Sequence, residues 1–393
     1  MPALVPFAVD PAALPAYLEA LAQALDGSGP ALLPYAAGSS EPQVQDDADL
    51  PDELALVMST SGSTGVPKRA LLTRANLEAS AHATHARLGG AGQWLLPMPA
   101  HHIAGTQVLV RSIVASTNAV LLNLENGFST TDFADAVAWM LPARRYTSLV
   151  PTQLVRLLED PAAVKALTTF DAVLLGGAAS PPRLLARAAA AGVTVVPTYG
   201  MSETAGGCVY AGRPLDGTTV SIGADGRIGL AGPTVASGYL ADPDRTAGAF
   251  DRDEDGRPRF WTDDVGELSA DGLLHVLGRL DDLITTGGLK VAPRLVEEAA
   301  LELPEISEAV AVGTADEEWG QVVSLAVVPA RGTVPGLTAV RDALGDRLPA
   351  YALPRRLLVL DALPLRGPGK PDRAALAISD GWQNRGIGTR DEG

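Results

Sequence analysis

The sequence predicts an α/β protein. Its large N-terminal domain has mostly parallel sheets flanked by helices plus a β subdomain, and a small α+β C-terminal domain follows. Three observations predict this. From residue 54 to about residue 200, short apolar runs alternate with helical patterns, as parallel strands joined by crossover helices do. After Gly206, short runs separated by Gly, Asp and Pro take over, as in antiparallel strands. The chain of 393 residues exceeds one compact core, and the segment from Leu280 is itself of domain size.

The elements follow in order. Asp10 before Pro11 starts a helix whose face is Leu14, Leu18, Leu21 and Leu25, ended by Gly27 and Gly29. Residues 36–49 are acidic and polar, an exposed connection before a strand at 54–58. Thr73 caps a helix running to about Leu88, with Gly89 beyond it. Strands are expected at 94–98, 119–122, 146–150, 172–175 and 193–197, and helices at 104–115, 132–140, 153–158 and 181–191. Ligands of such sheets sit beyond the carboxyl ends of the strands. The loops after Met58, Met98, Leu175 and Pro197 are therefore expected to converge.

The first domain is assigned to 1–280, with its β-rich part at about 207–280 and short runs at 219–222, 227–231, 259–261, 266–268 and 273–277. The second, 281–393, has helices at 293–303 and 337–348 and strands at 309–312, 322–328 and 357–360. Its tail, 381–393, is polar and glycine-rich and is expected to be disordered. No internal repeat is evident.

Lys and Arg number 30 against 46 Asp and Glu, a net charge of −16, which argues against a nucleic-acid or anionic-membrane binder. An anionic ligand would need a local set of cations. The single cysteine, Cys208, excludes a disulfide framework within the chain and a cysteine metal site, and it fits a reducing, cytoplasmic setting. It reads as a small packed residue rather than a nucleophile. The N-terminus lacks the basic and apolar regions of a signal peptide, and no apolar run has membrane-spanning length, so no membrane insertion is expected.

The stretch Ser59-Thr60-Ser61-Gly62-Ser63-Thr64-Gly65-Val66-Pro67-Lys68 follows an apolar run directly. Glycines let backbone N–H groups approach oxygens, hydroxyls add donors and lysine adds a point charge, a device suited to a polyphosphate. A polar surface turn is the plain alternative. It is not a Walker loop, because Lys68 follows Pro67 and precedes Arg69. Gly200-Met201-Ser202-Glu203-Thr204 is not a nucleophile elbow, because Thr204 stands where glycine is required. Adjacent His101 and His102 point apart, which opposes a shared metal.

Five segments occur in order: the hydroxyl-rich loop; Pro97-Met98-Pro99-Ala100-His101-His102-Ile103-Ala104-Gly105; Tyr199-Gly200-Met201-Ser202-Glu203-Thr204; Trp261-Thr262-Asp263-Asp264 with Gly278-Arg279-Leu280-Asp281-Asp282; and Leu365-Arg366-Gly367-Pro368-Gly369-Lys370-Pro371-Asp372-Arg373. Together they resemble the adenylate-forming acyl-CoA synthetases, over roughly residues 50 to 377. The resemblance implies two steps. A small-molecule carboxylate attacks the α-phosphate of ATP, with Mg2+, giving an acyl-adenylate and pyrophosphate. The thiol of coenzyme A then displaces AMP.

It also implies roles. Thr60, Ser61, Gly62, Ser63, Thr64, Gly65 and Lys68 match the loop that grips the β- and γ-phosphates. Arg69, where many members have glycine, extends the positive patch or faces solvent. Glu203 matches the magnesium ligand, and Ser202 keeps a hydroxyl for the α-phosphate. Thr198, Tyr199, Gly200 and Met201 border the nucleotide; Tyr199 stacks near adenine or is a core tyrosine. Gly176, Gly177, Ala178 and Ala179 match a turn passing close to adenine and acyl group. Asp264 matches the ribose-binding aspartate, although Asp263 replaces the family's usual glycine, and Arg279 reaches ribose or phosphate. Lys370 matches the catalytic lysine, and losing such a group typically costs about 10²–10³-fold in rate. Asp281 matches a hinge between two domain arrangements. Gly288, in Gly287-Gly288-Leu289-Lys290, lines the thiol channel of the second. Lys290 is a further candidate cation. His102 matches the histidine beside the acyl carboxylate, steering it or gating the site, or else it packs or caps a helix.

Only about 58 residues precede the loop. With Ser148-Leu149-Val150-Pro151-Thr152-Gln153-Leu154 and Pro67-Lys68-Arg69, this resembles the o-succinylbenzoate–CoA ligases of menaquinone synthesis. Such a substrate carries an aromatic ring, a keto group and two carboxylates, which calls for apolar walls with a few donors. His102, Thr152, Gln153, Gly177, Ala178 and Met201 are the candidates, with Arg111 for the second carboxylate. Two other classes stand beside it: a different aryl- or fatty-acyl-CoA ligase or an adenylation protein loading a carrier-protein thiol, and a nonenzymatic descendant or serine hydrolase using Ser202. Intact Glu203, Asp264, Arg279 and Lys370 oppose lost activity, and Thr204 opposes the hydrolase. None of these motifs encodes the oligomeric state.

Overall fold

The computed structural model describes residues 3–44, 50–60, 67–330, 332–364 and 371–384, and the strand orders below refer to these. The first strands are ones that the sequence patterns hide. β1 (Leu4–Val9) and β2 (Ala31–Ala36) pair in parallel from Leu4 opposite Ala31. Each contains a proline, Pro6 or Pro34, which removes a ladder donor and makes the run read as a loop. Between them lies α1 (Leu14–Asp26), entered through a turn at Pro11–Ala13 where the Asp10 carboxylate accepts from the Ala12 N–H at 2.9 Å.

β3 (Leu54–Thr60) lies beside β2, and β4 (Lys68–Thr73) returns antiparallel to it, giving the order β1-β2-β3-β4. The strand expected at 54–58 therefore belongs to a different sheet from those after residue 93. Its run Leu54-Ala55-Leu56-Val57-Met58 is fully buried because both faces are covered.

α2 (Arg74–Arg87) opens with a capping box: the Thr73 hydroxyl accepts from the Asn76 N–H, and the Asn76 side chain accepts from the Thr73 N–H. The Asn76 amide also donates to the carbonyls of Pro233 and Val235 at 2.8 and 2.9 Å, tying the helix start to that later segment. Then come β5 (Gln93–Leu96), α3 (Ile103–Val114), β6 (Val120–Leu121), α4 (Thr130–Ala138), β7 (Arg145–Leu149) and α5 (Pro151–Leu157). α6 (Pro161–Leu167), β8 (Ala172–Leu175), α7 (Pro182–Ala190) and β9 (Val195–Met201) follow. α6 was not expected, although Asp160 before Pro161 is a helix start; its carboxylate accepts from the Ala162 N–H at 2.9 Å.

A hairpin of β10 (Gly206–Tyr210) and β11 (Arg213–Pro214) completes the second sheet, in the order β11-β10-β9-β8-β7-β5-β6. From β6 to β9 the pairing is parallel, and β10 and β11 are antiparallel additions. Side chains alternate across it. Trp94, Leu96, Ala172 and Leu174 join the core holding Tyr17, Leu21 and Leu56, while Leu95, Val173 and Leu175 join Phe133, Leu154 and Leu167 on the other face.

Next are β12 (Thr219–Ile222), β13 (Arg227–Ala231), α8 (Pro243–Ala249), β14 (Phe250–Arg252), β15 (Pro258–Leu268) and β16 (Leu274–Arg279). They form the order β12-β13-β15-β14, with β16 on β15. The runs expected at 259–261 and 266–268 are one strand, β15. The polar residues Thr262, Asp263 and Asp264 hide its continuity.

The chain divides into two compact units. One comprises Met1–Gly223, Ile228–Thr262 and Leu268–Leu274; the other comprises Ala224–Arg227, Asp263–Glu267 and His275–Gly393. In the second, β17 (Ile284–Thr286), β18 (Leu289–Val291), α9 (Pro293–Leu301), β19 (Ile306–Asp316), β20 (Gly320–Pro329), α10 (Leu337–Leu344), β21 (Arg356–Val359), α11 (Arg373–Ala377) and β22 (Gln383–Asn384) follow. The sheet order is β18-β17-β20-β21-β22, with β19 on β20, over a core of Val296, Ile306, Leu325, Val340 and Leu357. Gln383 pairs with Leu357, so order extends past Gly381 to Asn384, in contrast to the disorder expected from 381; residues 385–393 lie outside the described residues.

Candidate active site

In the first unit, Glu203 is the focal group. It lies in a tight turn, Ser202–Thr204, between β9 and β10, and is 5% exposed. Thr204 holds the turn: its hydroxyl accepts from the Met201 N–H at 3.0 Å and donates to the Gly206 carbonyl at 2.8 Å. Ala205 has a left-handed backbone at φ 50, and its carbonyl accepts from Ser80 at 2.9 Å and Gln107 at 2.7 Å. A strained alanine is kept because α2 and α3 clamp it. Ser202 is buried, so its hydroxyl does not stand on an exposed elbow.

The Glu203 carboxylate accepts from the Tyr239 hydroxyl at 2.8 Å. The Tyr239 ring in turn lies 5.6 Å from Lys68 Nζ. Lys68 begins β4 opposite Thr60, the last residue of β3. One tyrosine thus joins the turn of the second sheet to the end of the first. Tyr239 is held there by strand-like pairing with β4: Ala70 bridges Tyr239, and the Leu240 N–H donates to the Arg69 carbonyl at 2.8 Å. Ser61, Gly62, Ser63, Thr64 and Gly65 lie outside the described residues.

The ends of β8 and β9 converge. Thr198 donates to the Leu175 carbonyl at 3.3 Å. A Cβ at Gly176 would lie 2.5 Å from the Thr198 hydroxyl, so a larger residue here would have to displace the Thr198 side chain. Gly177, at φ +79, and Ala178 are exposed beyond it. Tyr199 donates to Thr262 at 3.4 Å from a half-buried position. Gly200 faces the backbone of β10, where a Cβ would meet the Gly206 carbonyl at 2.1 Å. Met201 packs on Val235, Tyr239 and Phe260.

His102 caps α3 and its side chain is exposed, with no cap bond of its own. Its ring lies 4.2 Å from that of His101, centre to centre, so the two imidazoles are in contact instead of pointing apart as expected from their adjacency. Burial pushes His101 down to about 4, with His102 adding to the effect, and the partial cover of the His102 ring, on a residue that is otherwise exposed, lowers it in the same direction. Both imidazoles are therefore neutral near pH 7, which suits an approaching carboxylate only as a hydrogen-bond partner. Gln153 is committed to backbone: its amide donates to the Pro97 carbonyl at 2.7 Å and accepts from the Val150 N–H at 3.0 Å. It holds the loop after β5 against α5, while Thr152 is exposed beside it. Arg111 is not at this surface. It is 3% exposed, stacks 4.8 Å from the Trp94 ring and donates to the Tyr210 hydroxyl at 3.4 Å.

In the second unit, Arg279 pairs with Asp281 at 2.9 Å and Asp263 at 3.5 Å. The bond to Asp281 is the main reason the guanidinium is held even more firmly protonated than usual. Asp264 is half-buried on β15 and Asp263 is exposed. Gly288, at φ +80, is exposed in the turn between β17 and β18, with open space where a Cβ would stand. Beside it, a Cβ on Gly287 would meet the Trp319 ring at 2.6 Å. Lys290 is exposed on β18. Lys370 lies outside the described residues.

The AMP-binding enzyme family matches residues 12–240, and the AMP-binding enzyme C-terminal domain matches 295–370. The chain belongs to the AMP-binding enzyme family. It is 48% identical over 366 residues to a probable 2-succinylbenzoate–CoA ligase of Mycobacterium tuberculosis, covering 91% of this chain and 94% of that one. A 2-succinylbenzoate–CoA ligase of Geobacillus kaustophilus is 34% identical, over 88% of this chain and 74% of that one. Among solved structures, the o-succinylbenzoate CoA synthetase of Bacillus subtilis in complex with its acyl-adenylate intermediate superposes with a TM-score of 0.70. It is 27% identical, over 92% of this chain and 81% of that one.

Members of the AMP-binding enzyme family use ATP, and the geometry can be tested against the Mg2+ that accompanies it. Among the described residues, no group of three or more His, Cys, Asp or Glu side chains could cage a metal. Mg2+ bound with a nucleotide needs only one or two carboxylates plus phosphate oxygens. The buried Glu203 fits that requirement. Also among the described residues, no helix is long and apolar enough to cross a membrane. Cys208 is buried with its thiol pushed up to about 12 by burial, as a packed, unreactive residue should be.

Tyr239, which contacts both Glu203 and Lys68, is a candidate site residue that the sequence reading missed. Its only sequence signal is an aromatic after Gly238 in Pro233-Thr234-Val235-Ala236-Ser237-Gly238-Tyr239, which reads as an ordinary turn.

Proposed function

We propose that this AMP-binding enzyme is an ATP-dependent acid–thiol ligase. It adenylates 2-succinylbenzoate and transfers the acyl group to coenzyme A, releasing pyrophosphate and AMP, a step of menaquinone synthesis. The observation that carries the reading is the meeting of Glu203, Tyr239 and Lys68 at the hydroxyl-rich strand end, in a chain 48% identical to a probable 2-succinylbenzoate–CoA ligase.

In the first step a carboxylate oxygen attacks the α-phosphorus, and the bond to the β-phosphate bridge breaks. Thr60, Ser61, Ser63, Thr64 and Lys68, with the backbone at Gly62 and Gly65, hold the departing phosphates. Glu203 would hold Mg2+, which would offset charge on the phosphates. Ser202 donates toward the α-phosphate. Thr198, Tyr199 and Gly200, with Gly177 and Ala178, border adenine and the acyl group. Asp264 and Arg279 take the ribose side. His102 meets the acyl carboxylate as a neutral imidazole, and Thr152 and Met201 line the aryl pocket, while Gln153 fixes the loop after β5. Lys370 neutralises charge developing on the transferring phosphate.

In the second step the coenzyme A sulfur attacks the acyl carbon and AMP leaves. Asp281 is proposed as the hinge between the segments 1–280 and 281–393, withdrawing Lys370 and bringing Gly288 to the thiol path. The cytoplasm is the proposed compartment, on the single reduced cysteine.

The test is ATP–pyrophosphate exchange with a panel of carboxylic acids. Exchange is expected to be fastest with 2-succinylbenzoate. Faster exchange with another aryl or fatty acid would overturn the substrate and leave the ligase class standing.

A further inference from the structure

Outside the Glu203–Tyr239–Lys68 cluster, a chain of hydroxyls runs from α1 to the loop that carries His101 and His102. The Thr106 hydroxyl, on the first turn of α3, donates to the Ala100 carbonyl at 2.6 Å. The Tyr17 hydroxyl, on α1, lies 3.1 Å from the same Thr106 oxygen. A carbonyl has no proton to give, so the one threonine proton goes to Ala100 and Tyr17 donates to Thr106. Burial raises the Tyr17 phenol above its ordinary value, which keeps that proton in place. Both side chains are fully buried, and 89 residues separate them in sequence.

Thr106 grips the loop twice. Its N–H donates to the His102 carbonyl at 2.9 Å while its hydroxyl holds Ala100, so one residue fixes the backbone on both sides of His101. The glycine before it allows the close approach. A Cβ on Gly105 would meet the Pro99 carbonyl oxygen at 2.3 Å and the Ala100 Cα at 2.9 Å, both backbone atoms that cannot swing aside. At the other end of the loop the Gln153 amide holds the Pro97 carbonyl at 2.7 Å. The Tyr17 ring is itself fixed: it packs 5.4 Å from the Phe7 ring of β1, centre to centre, in the core that holds Leu21 and Leu56. The Glu203 turn is held by a different set of bonds, from Thr204, Ser80 and Gln107. The hydroxyl chain therefore bears on the histidine loop and not on the carboxylate.

We propose that Thr106 and Tyr17 are positioning residues for the acid substrate, which set the 97–102 backbone from which His102 meets the acyl carboxylate. This rests on the adenylation reading above, which gives His102 that role. Both residues act through the loop, because neither buried side chain reaches a ligand. A buried carbonyl or phenol that loses its partner costs more than the bond itself is worth, so the chain of hydroxyls holds one loop geometry against its alternatives. α1 thereby belongs to the acid side of the site as well as to the cover of the sheets.

Thr106→Val keeps the shape of the side chain and removes the donor. ATP–pyrophosphate exchange, run with whichever acid supports it fastest, is expected to show KM for that acid raised about tenfold and KM for ATP within about twofold. Thr106→Ser is expected to bring KM for the acid back to within about threefold of normal, and Tyr17→Phe to raise it about threefold. Leu167→Ala, which opens the core on the other face of the second sheet, controls for lost stability and is expected to leave both KM values within about twofold. The His101 and His102 ring signals, followed by NMR in the full chain and assigned with His101→Gln and His102→Gln, read the loop without turnover. Thr106→Val is expected to shift both and to leave the His275 signal in place. Equal rises in KM for acid and ATP, a Thr106→Ser variant no better than Thr106→Val, or unmoved ring signals would overturn the proposal. If a different acid is fastest, the substrate reading falls and the KM comparison still decides the positioning. If no acid supports exchange, the adenylation reading falls and the ring signals decide whether Thr106 places the loop.

Discussion

The Tyr239 hydroxyl donates to the buried Glu203 carboxylate at 2.8 Å, across 36 residues of sequence. The same ring lies 5.6 Å from Lys68 Nζ. A carboxylate proposed to hold Mg2+ and a lysine proposed to hold phosphate are thereby set by one side chain.

Tyr239→Phe keeps the ring under Lys68 and removes a donor from Glu203. Losing a hydrogen bond to a buried charged group costs about 1–3 kcal/mol. Urea denaturation should show a loss of that size, and ATP–pyrophosphate exchange should slow because the carboxylate is less firmly placed. Unchanged stability together with an unchanged exchange rate would refute this role for Tyr239.

Gly200→Ala places a Cβ 2.1 Å from the Gly206 carbonyl oxygen, and a backbone atom cannot swing away. The β9–β10 pairing that carries Glu203 must open. A destabilisation of about 2–4 kcal/mol is expected, read as a lower Tm with lost exchange activity. A fully stable alanine variant would mean that the two strands pack less closely.

His85 is 7% exposed and accepts from the Trp94 indole N–H at 3.4 Å, so it must be neutral. Burial lowers it from 6.5 to about 4, with Arg111 and His82 adding to the effect. Below pH 6.5 the unfolded chain takes up a proton that the folded chain refuses. The contribution is present above pH 6.5 and is lost as pH falls toward 4. Across that window stability should drop by roughly 2–3 kcal/mol more than in His85→Gln. Parallel pH profiles of the two proteins would show that His85 does not titrate with folding.

Lys370→Ala should slow adenylate formation by about 10²–10³-fold. Supplied acyl-adenylate should still be converted to thioester at close to the normal rate. Equal loss in both half-reactions would contradict the proposed alternation about Asp281.

Much of this arrangement was legible in the sequence, for physical reasons that differ by element. The run of strands and helices after residue 93 declared itself because each parallel strand is buried on both faces and reads as a short apolar block, as at Ala172–Leu175. β1 and β2 stayed hidden behind Pro6 and Pro34, and β4 behind the charged Lys68 and Arg69 at its start. Their absence from the reading merged two sheets into one. The motifs of the candidate site were legible as motifs because Glu203, Lys68 and Gly200 sit in contiguous segments of special composition. Tyr239 was not, because only the pairing of residues 237–240 with β4 brings it in. Arg111 was offered for the second carboxylate because it is a cation on α3. Its place on the helix instead points it at Trp94 and Tyr210 in the core.

The central claim is tested most directly by mixing the chain with ATP, magnesium and 2-succinylbenzoate in the absence of coenzyme A, and analysing the quenched mixture by mass spectrometry before and after a coenzyme A chase. The account predicts the 2-succinylbenzoyl-adenylate before the chase and its thioester afterwards, with AMP released. No adenylate from this acid, from protein that forms one with a different carboxylate, would contradict it.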